Sequence, residues 1–344
     1  IMMKKIALLT VLFLSCSCIT EEVIKIGDDA PVPVMNAQLH VGDTLHRVYL
    51  NNSRLDRTES LSGADVRVYV NDIPVATAEE VEMEEIYSNS EYCFKADFAP
   101  GDRVRIEAVT GSGKIRSEVT VPPVPRILSV RTEKISTGAD DFDFEYRYHV
   151  ELEDVPGEDS YYRVSMDKNV KAELYYKDNP VPSVDTSDYH HVWVYNTDEP
   201  LLSSGWRQDG GDDEDIMSLI SSLFMTENEY NIFTDEKFRD DTYTLKLRSD
   251  NLSQASINPV SGAERAVLTP TVNIRIHSMS FLEYRYLISL CNFNTMGTEV
   301  NFISEPISLP SNVEGGIGFV SVESSAVYSI EMPSWEVSLM FYEN

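Results

Sequence analysis

Along most of this chain apolar and polar residues alternate with a period of two. Successive side chains on a strand point to opposite faces, so this is the pattern of half-buried β-strands. Ala64-Asp65-Val66-Arg67-Val68-Tyr69-Val70 shows it most clearly. The same rhythm predicts strands at 34–39, 46–50, 92–98, 103–109 and 115–121. Turn residues separate them: Asn71-Asp72, Pro100-Gly101-Asp102 and Gly111-Ser112-Gly113. Asn and Asp accept left-handed backbone, so Asn71-Asp72 reads as a hairpin turn. Short strands at this spacing predict an immunoglobulin-like β-sandwich over residues 33–122. Pro122-Pro123-Val124-Pro125 then reads as a stiff linker.

The second half is also mainly β. Phe144, Tyr146, Tyr148, Val150 and Leu152 alternate within one strand, and further strands are expected at 127–135, 161–165, 171–176, 192–195, 242–247, 271–276, 318–322, 326–331 and 335–340. Two helices interrupt them. Near 213–226, Ile216, Leu219, Ile220, Leu223 and Phe224 share one helical face, and Asp212 to Asp215 place acids where the helix dipole favours them. Near 279–291, Phe281, Tyr284, Leu287, Ile288 and Cys291 form the apolar face, and Ser280 with Glu283 has the spacing of a capping box. The expected fold class is mainly β: an N-terminal immunoglobulin-like β-sandwich, then a larger β-rich domain with two short helices over 126–344.

Residues 1–32 depart from this rhythm. Lys4-Lys5 precedes an unbroken apolar run, Ile6 to Leu14, followed by Ser15-Cys16-Ser17-Cys18. Crossing roughly 30 Å of hydrocarbon takes about 20 residues, so the run is too short to span a membrane and fits an export signal over 1–15. A small residue before a cysteine suits lipoprotein processing, in which the thiol takes a diacylglycerol and the chain is cut ahead of it. Cys16 is the preferred lipidation site, because Phe13 and Leu14 supply apolar residues before Ser15; Cys18, nearer Glu21-Glu22, is the alternative. Several acyl chains such as palmitate on one residue make a durable anchor. Residues 16–32 would form an acidic tether.

Charge narrows the partners. The chain carries 57 acidic and 28 basic residues, for a net charge of −29. Phosphate binding needs clustered Lys and Arg, so nucleic acid is excluded. The same charge disfavours lying flat on an anionic membrane surface. Beyond Cys16 and Cys18, only Cys93 and Cys291 remain, one in each expected domain, and no disulfide is expected between them. No Cys/His spacing of a metal site occurs, and no cofactor is expected.

Candidate chemistry is sparse. Asp209, Asp212 and Asp213 lie in the densest acidic cluster, and oxygen-rich loops can hold calcium. Their spacing lacks the EF-hand order, so a solvated loop feeding a helix is the better reading. His190-His191 are adjacent on an expected strand, point to opposite faces and would not share a metal. Asn312 to Gly318 is glycine-rich but has no Lys, and reads as a turn. No GxSxG motif or assignable Ser/His/Asp set appears. The aromatic surplus is more informative. Trp193, Tyr195 and Trp206 fall in an insertion between strands, and loops on a β scaffold concentrate binding residues. Residues 180–215 are therefore expected to face a ligand or partner.

The order of motifs resembles the outer-membrane lipoprotein family of Bacteroidota described as domain of unknown function 4249. Val34-Met35-Asn36-Ala37 opens the first domain, and Pro100-Gly101-Asp102 with Val119-Thr120-Val121-Pro122 closes it. Tyr161-Tyr162-Arg163, Phe233-Thr234-Asp235-Glu236-Lys237-Phe238 and the helix from Ser278 to Leu290 follow. Glu305-Pro306-Ile307 and Ser311-Asn312-Val313-Glu314-Gly315-Gly316-Ile317-Gly318-Phe319 complete it. After Phe238 the family usually carries a glycine, where this chain has Arg239-Asp240-Asp241, so a tight turn must be built without it. The resemblance implies an exported lipoprotein, often encoded beside TonB-dependent transporters, and brings no catalytic residues.

The expected function is a surface-exposed, non-enzymatic outer-membrane lipoprotein. It would act as an accessory of a TonB-dependent nutrient transporter, binding a ligand or the transporter itself. An adhesin or structural surface subunit is one alternative. A surface hydrolase of peptides or glycans is the other.

Overall fold

The computed structural model describes residues 31–54, 58–81, 90–111, 113–137, 144–177, 179–186, 190–192, 194, 199–204, 206, 226–249, 263–298 and 309–338. These residues are mainly β, as the alternation predicts. The expected helix near 213–226 lies outside them except for Thr226, which is not helical.

The first strands are β1 (Val32–His40), β2 (His46–Ser53), β3 (Thr58–Ser60), β4 (Asp65–Val70), β5 (Ile73–Val81), β6 (Ser90–Phe94), β7 (Arg103–Thr110) and β8 (Gly113–Thr120). Asn71 and Asp72 both take positive φ, 51° and 66°, so the β4–β5 hairpin turns where the sequence placed it. Asp72 also pairs with Arg103 and Arg105. Inward-facing Met35, Leu39, Val48, Leu50, Val66, Val68, Val104 and Ile106 are fully buried and build a first core.

The second part opens with β9 (Arg126–Ser136) and β10 (Phe144–Glu153), which join β15 (Thr242–Ser249) in a three-stranded sheet ordered β15-β10-β9. Next come β11 (Tyr161–Tyr176), β12 (Asn179–Thr186), β13 (His190–Val192), the short helix α1 (Pro200–Ser203) and β14 (Ile232–Thr234). Then follow β16 (Ala263–Met279), α2 (Phe281–Thr298), β17 (Val320–Glu331) and β18 (Trp335–Ser338). Tyr148, Val150, Met166, Leu245, Val272 and Ile274 are fully buried in the second core, and the alternation read along 144–152 is the buried face of β10. Among the described residues no helix is long and apolar enough to cross a membrane.

One strand belongs to both parts. The first four residues of β17 pair in parallel with β1, from Ala37↔Val320 to His40↔Glu323. The next eight pair antiparallel with β16, from Ser278↔Ser324 to Thr271↔Glu331. The large sheet therefore runs continuously as β12-β11-β16-β17-β1-β2-β6-β5-β4-β7-β8. Val313, Val320 and Val322 complete the first core.

The glycine-rich segment before β17 is more than a turn. It runs beside β1 through Ile317 N to Pro33 O, Met35 N to Ile317 O and Ala37 N to Phe319 O, each 3.0 Å. A Cβ at Gly316 would collide with the Pro33 carbonyl, and one at Gly318 with the Met35 carbonyl. Gly318 also has φ +119°, which only glycine adopts at low cost.

The turn after Phe238 is built without glycine. Asp240 takes φ 57°, and its carboxylate accepts from Gly157 N at 3.0 Å while its own N donates to Asp154 Oδ2 at 2.9 Å. Asp tolerates this left-handed backbone because its side chain can bond locally.

Candidate functional site

Strand register brings distant polar residues together at the handover from β1 to β16. His40 ends β1, directly beside Glu323 on β17. His277 lies near the end of β16, opposite Arg163 on β11. Ser165 follows Arg163 by two residues, on the same strand face. Glu283 enters from the first turn of α2, immediately beyond β16.

The Glu323 carboxylate is the centre, with its side chain fully out of water. It accepts from Arg163 Nη2 at 2.9 Å on Oε1 and 2.7 Å on Oε2. Nδ1 of His277 lies 3.1 Å from Oε2, and Nδ1 of His40 lies 3.2 Å from it. The other nitrogen of His277, Nε2, is 3.0 Å from Ser165 Oγ. Carrying a proton on Nδ1 lets His277 donate to Glu323 and accept from Ser165. The His40 and His277 rings meet edge to face, with centroids 6.2 Å apart.

Burial alone would raise the Glu323 pKa. The hydrogen bonds from His277 and His40 and the Arg163 charge outweigh it and hold the carboxyl well below the ordinary range. Glu283 moves the other way. Burial first, then the neighbouring Glu323 charge, push it up to about 8. Burial also lowers the His277 pKa, against the pull of Glu323. The surroundings thus favour a charged Glu323 paired with Arg163 and push Glu283 and His277 toward their neutral forms.

The capping expectation at α2 holds by half. Glu283 N donates to Ser280 Oγ at 3.1 Å. The Glu283 side chain, expected to turn back to the cap, is instead buried, and its Oε2 finds no hydrogen-bond partner. The expected apolar face is correspondingly mixed: Cys291 is buried, Tyr284, Leu287 and Ile288 are partly covered, Phe281 is exposed, and Glu283 is the deepest residue of the first turn.

Among the described residues, His40, His277 and Glu323 are the group whose ligand atoms could hold a metal ion, all within 4.8 Å of one another. The expected residues lie elsewhere. Cys16, Cys18, Trp193, Tyr195, Asp209, Asp212 and Asp213 fall outside the described residues. Trp206 is half-buried just beyond α1, its N donating to Ser203 O at 3.1 Å. His190 and His191 lie on β13, opposite Lys168 and Asp167. Cys93 and Cys291 form no disulfide, and burial pushes the Cys291 thiol up to about 11. The sequence reading missed the buried cluster because its members are scattered along the chain. The available signal was a charged residue within apolar strands, as in Ile274-Arg275-Ile276-His277 and Val320-Ser321-Val322-Glu323.

The outer edge of the large sheet has a different character. There β12 pairs with β11, from Lys171↔Thr186 to Tyr176↔Asn179. Val181 is 66% exposed and Val184 59%. They stand three residues apart, so exposed apolar side chains occur on both faces of this edge strand.

Comparison with known proteins places the chain in context. The family model described as "Domain of unknown function (DUF4249)" matches residues 19–329. No curated protein matches. A DUF4785 family protein from Legionella pneumophila is similar at 9% identity and a TM-score of 0.22, over 72% of this chain and 52% of that one. The present chain thus spans about half of that protein. A biofilm-associated protein B domain is similar at 7% identity and a TM-score of 0.15, over 86% of this chain and 85% of that one.

Proposed function

The chain belongs to the family described as domain of unknown function (DUF4249), and from that premise we propose that it is a non-enzymatic, lipid-anchored protein of the outer-membrane surface that serves a TonB-dependent transporter in nutrient capture. The apolar run Ile6 to Leu14 followed by Ser15-Cys16 supports export and anchoring, with Cys18 the alternative anchor. The surplus of acidic residues supports a soluble exported body held off an anionic surface.

The observation that carries the reading is the β12 edge. Exposed apolar side chains on an edge strand favour pairing with another chain, and soluble proteins usually blunt such edges with charge or proline. The β12 strand holds Pro180 and Pro182, yet the Val181 and Val184 side chains are exposed. It leads directly into the segment with Trp193, Tyr195 and Trp206. The occupant we assign to this edge is an extended segment of the transporter partner, held by apolar contact with Val181 and Val184, because Pro180 and Pro182 offer no N–H for strand pairing.

Deleting the protein from its native cell tests the role. Loss of a component from the transporter complex, or slower substrate uptake, is expected. Unchanged complex composition together with unchanged uptake would contradict it.

A further inference from the structure

The buried cluster at the β17 handover has one feature that hydrogen bonding within the chain leaves unexplained. Glu283 is 3% exposed, yet its Oε2 has no partner. Buried polar atoms are nearly always paired, so an orphaned carboxylate oxygen in this cluster points to a further group that belongs there.

The geometry around Glu323 indicates what that group is. A tetrahedral zinc ion with bonds of about 2.0–2.2 Å sets its ligand atoms roughly 3.3–3.6 Å apart. Nδ1 of His40 and Nδ1 of His277 stand 3.2 and 3.1 Å from Glu323 Oε2. All three of these ligand atoms lie within 4.8 Å of one another, so side-chain shifts would bring them to that spacing. We propose that His40 Nδ1, His277 Nδ1 and Glu323 Oε2 form a three-ligand site for a divalent transition metal of the zinc class, a clasp where β17 passes from β1 to β16.

Imidazole and carboxylate donors suit zinc. The surrounding residues fit supporting roles. With the metal on Nδ1, His277 carries its proton on Nε2 and donates it to Ser165 Oγ, now 3.0 Å away. His40 does the same toward solvent, its side chain being 34% exposed. Arg163 keeps Glu323 Oε1, now at 2.9 Å, and steadies the carboxylate while Oε2 turns to the ion. None of this depends on the membrane role.

The test is a zinc titration of the full chain after chelator treatment, followed by calorimetry and by the visible absorption of the cobalt-substituted protein. One ion per chain with a tetrahedral cobalt spectrum is expected. His40→Ala should weaken zinc binding by about 100-fold or more, beyond the 10–100-fold typical of losing an outer-sphere partner. Because His40 is partly exposed, this variant should keep the wild-type circular dichroism spectrum. Asp212→Asn with Asp213→Asn should leave binding unchanged. Absence of saturable binding would overturn the proposal. So would binding that survives His40→Ala, or that disappears only in the Asp212/Asp213 variant.

Discussion

Glu323 sits where four strands meet, fully out of water, and Arg163 is the charge that answers it. Removing one partner of a buried ion pair costs about 3–5 kcal/mol, because the other charge is left uncompensated. Arg163→Ala should therefore lower unfolding free energy by about that much in urea; a loss below about 1 kcal/mol would show that the pair is solvated. The pH response of the metal-free chain follows from the two carboxyls. Glu323 is held below its ordinary pKa, so its contribution is present above about pH 4.5 and fades as pH falls. Glu283 is raised from 4.5 to about 8, so its contribution is intact below pH 4.5 and is lost as pH rises through 8. Thermal melts with chelator present should show Glu283→Gln gaining on wild type from pH 4.5 to 8; parallel profiles would contradict this. At this scale the sequence was legible where chemistry is local. The left-handed Asn71-Asp72 turn could be read directly. Residues 40, 163, 277 and 323 become neighbours only through strand pairing, which no spacing rule sees.

Strands were legible wherever one face is buried and the other wet, as along β10. They were not legible where that contrast fails. Nearly all of β5 is exposed, so no hydrophobic alternation marks 73–81. Polar residues in the middle of β11 make it read as two short strands, 161–165 and 171–176, though it is continuous. The Asp167 carboxylate at that break is buried and accepts from Asn273 Nδ2 on β16 at 2.6 Å, so cross-strand pairing carries the strand through. In the same way β16 extends far beyond the expected 271–276. The glycine-rich segment shows a sequence feature whose role appears only in the fold. Gly318→Ala would force a Cβ onto the Met35 carbonyl and strain φ, and should cost at least about 2 kcal/mol in denaturant melts. Gly111→Ala, with open space around it, should change stability by less than about 0.5 kcal/mol. Equal effects would mean that the contact with β1 does not matter.

On the scale of the whole molecule, β17 makes the first and second cores share a strand. Neither can lose β17 without exposing apolar residues of the other, so the two should open as one cooperative unit. Native-state hydrogen exchange should show β7 and β16 losing protection together; well-separated opening energies would contradict the coupling. The β12 end of the sheet is where we propose that a partner docks. The most direct test of the proposed role is recovery of the natively anchored protein from outer membranes, wild type beside a Val181→Lys, Val184→Lys variant. A TonB-dependent transporter should co-purify with wild type and be lost from the variant while its fold and anchoring persist. Equal recovery with both, or no transporter with either, would contradict the account.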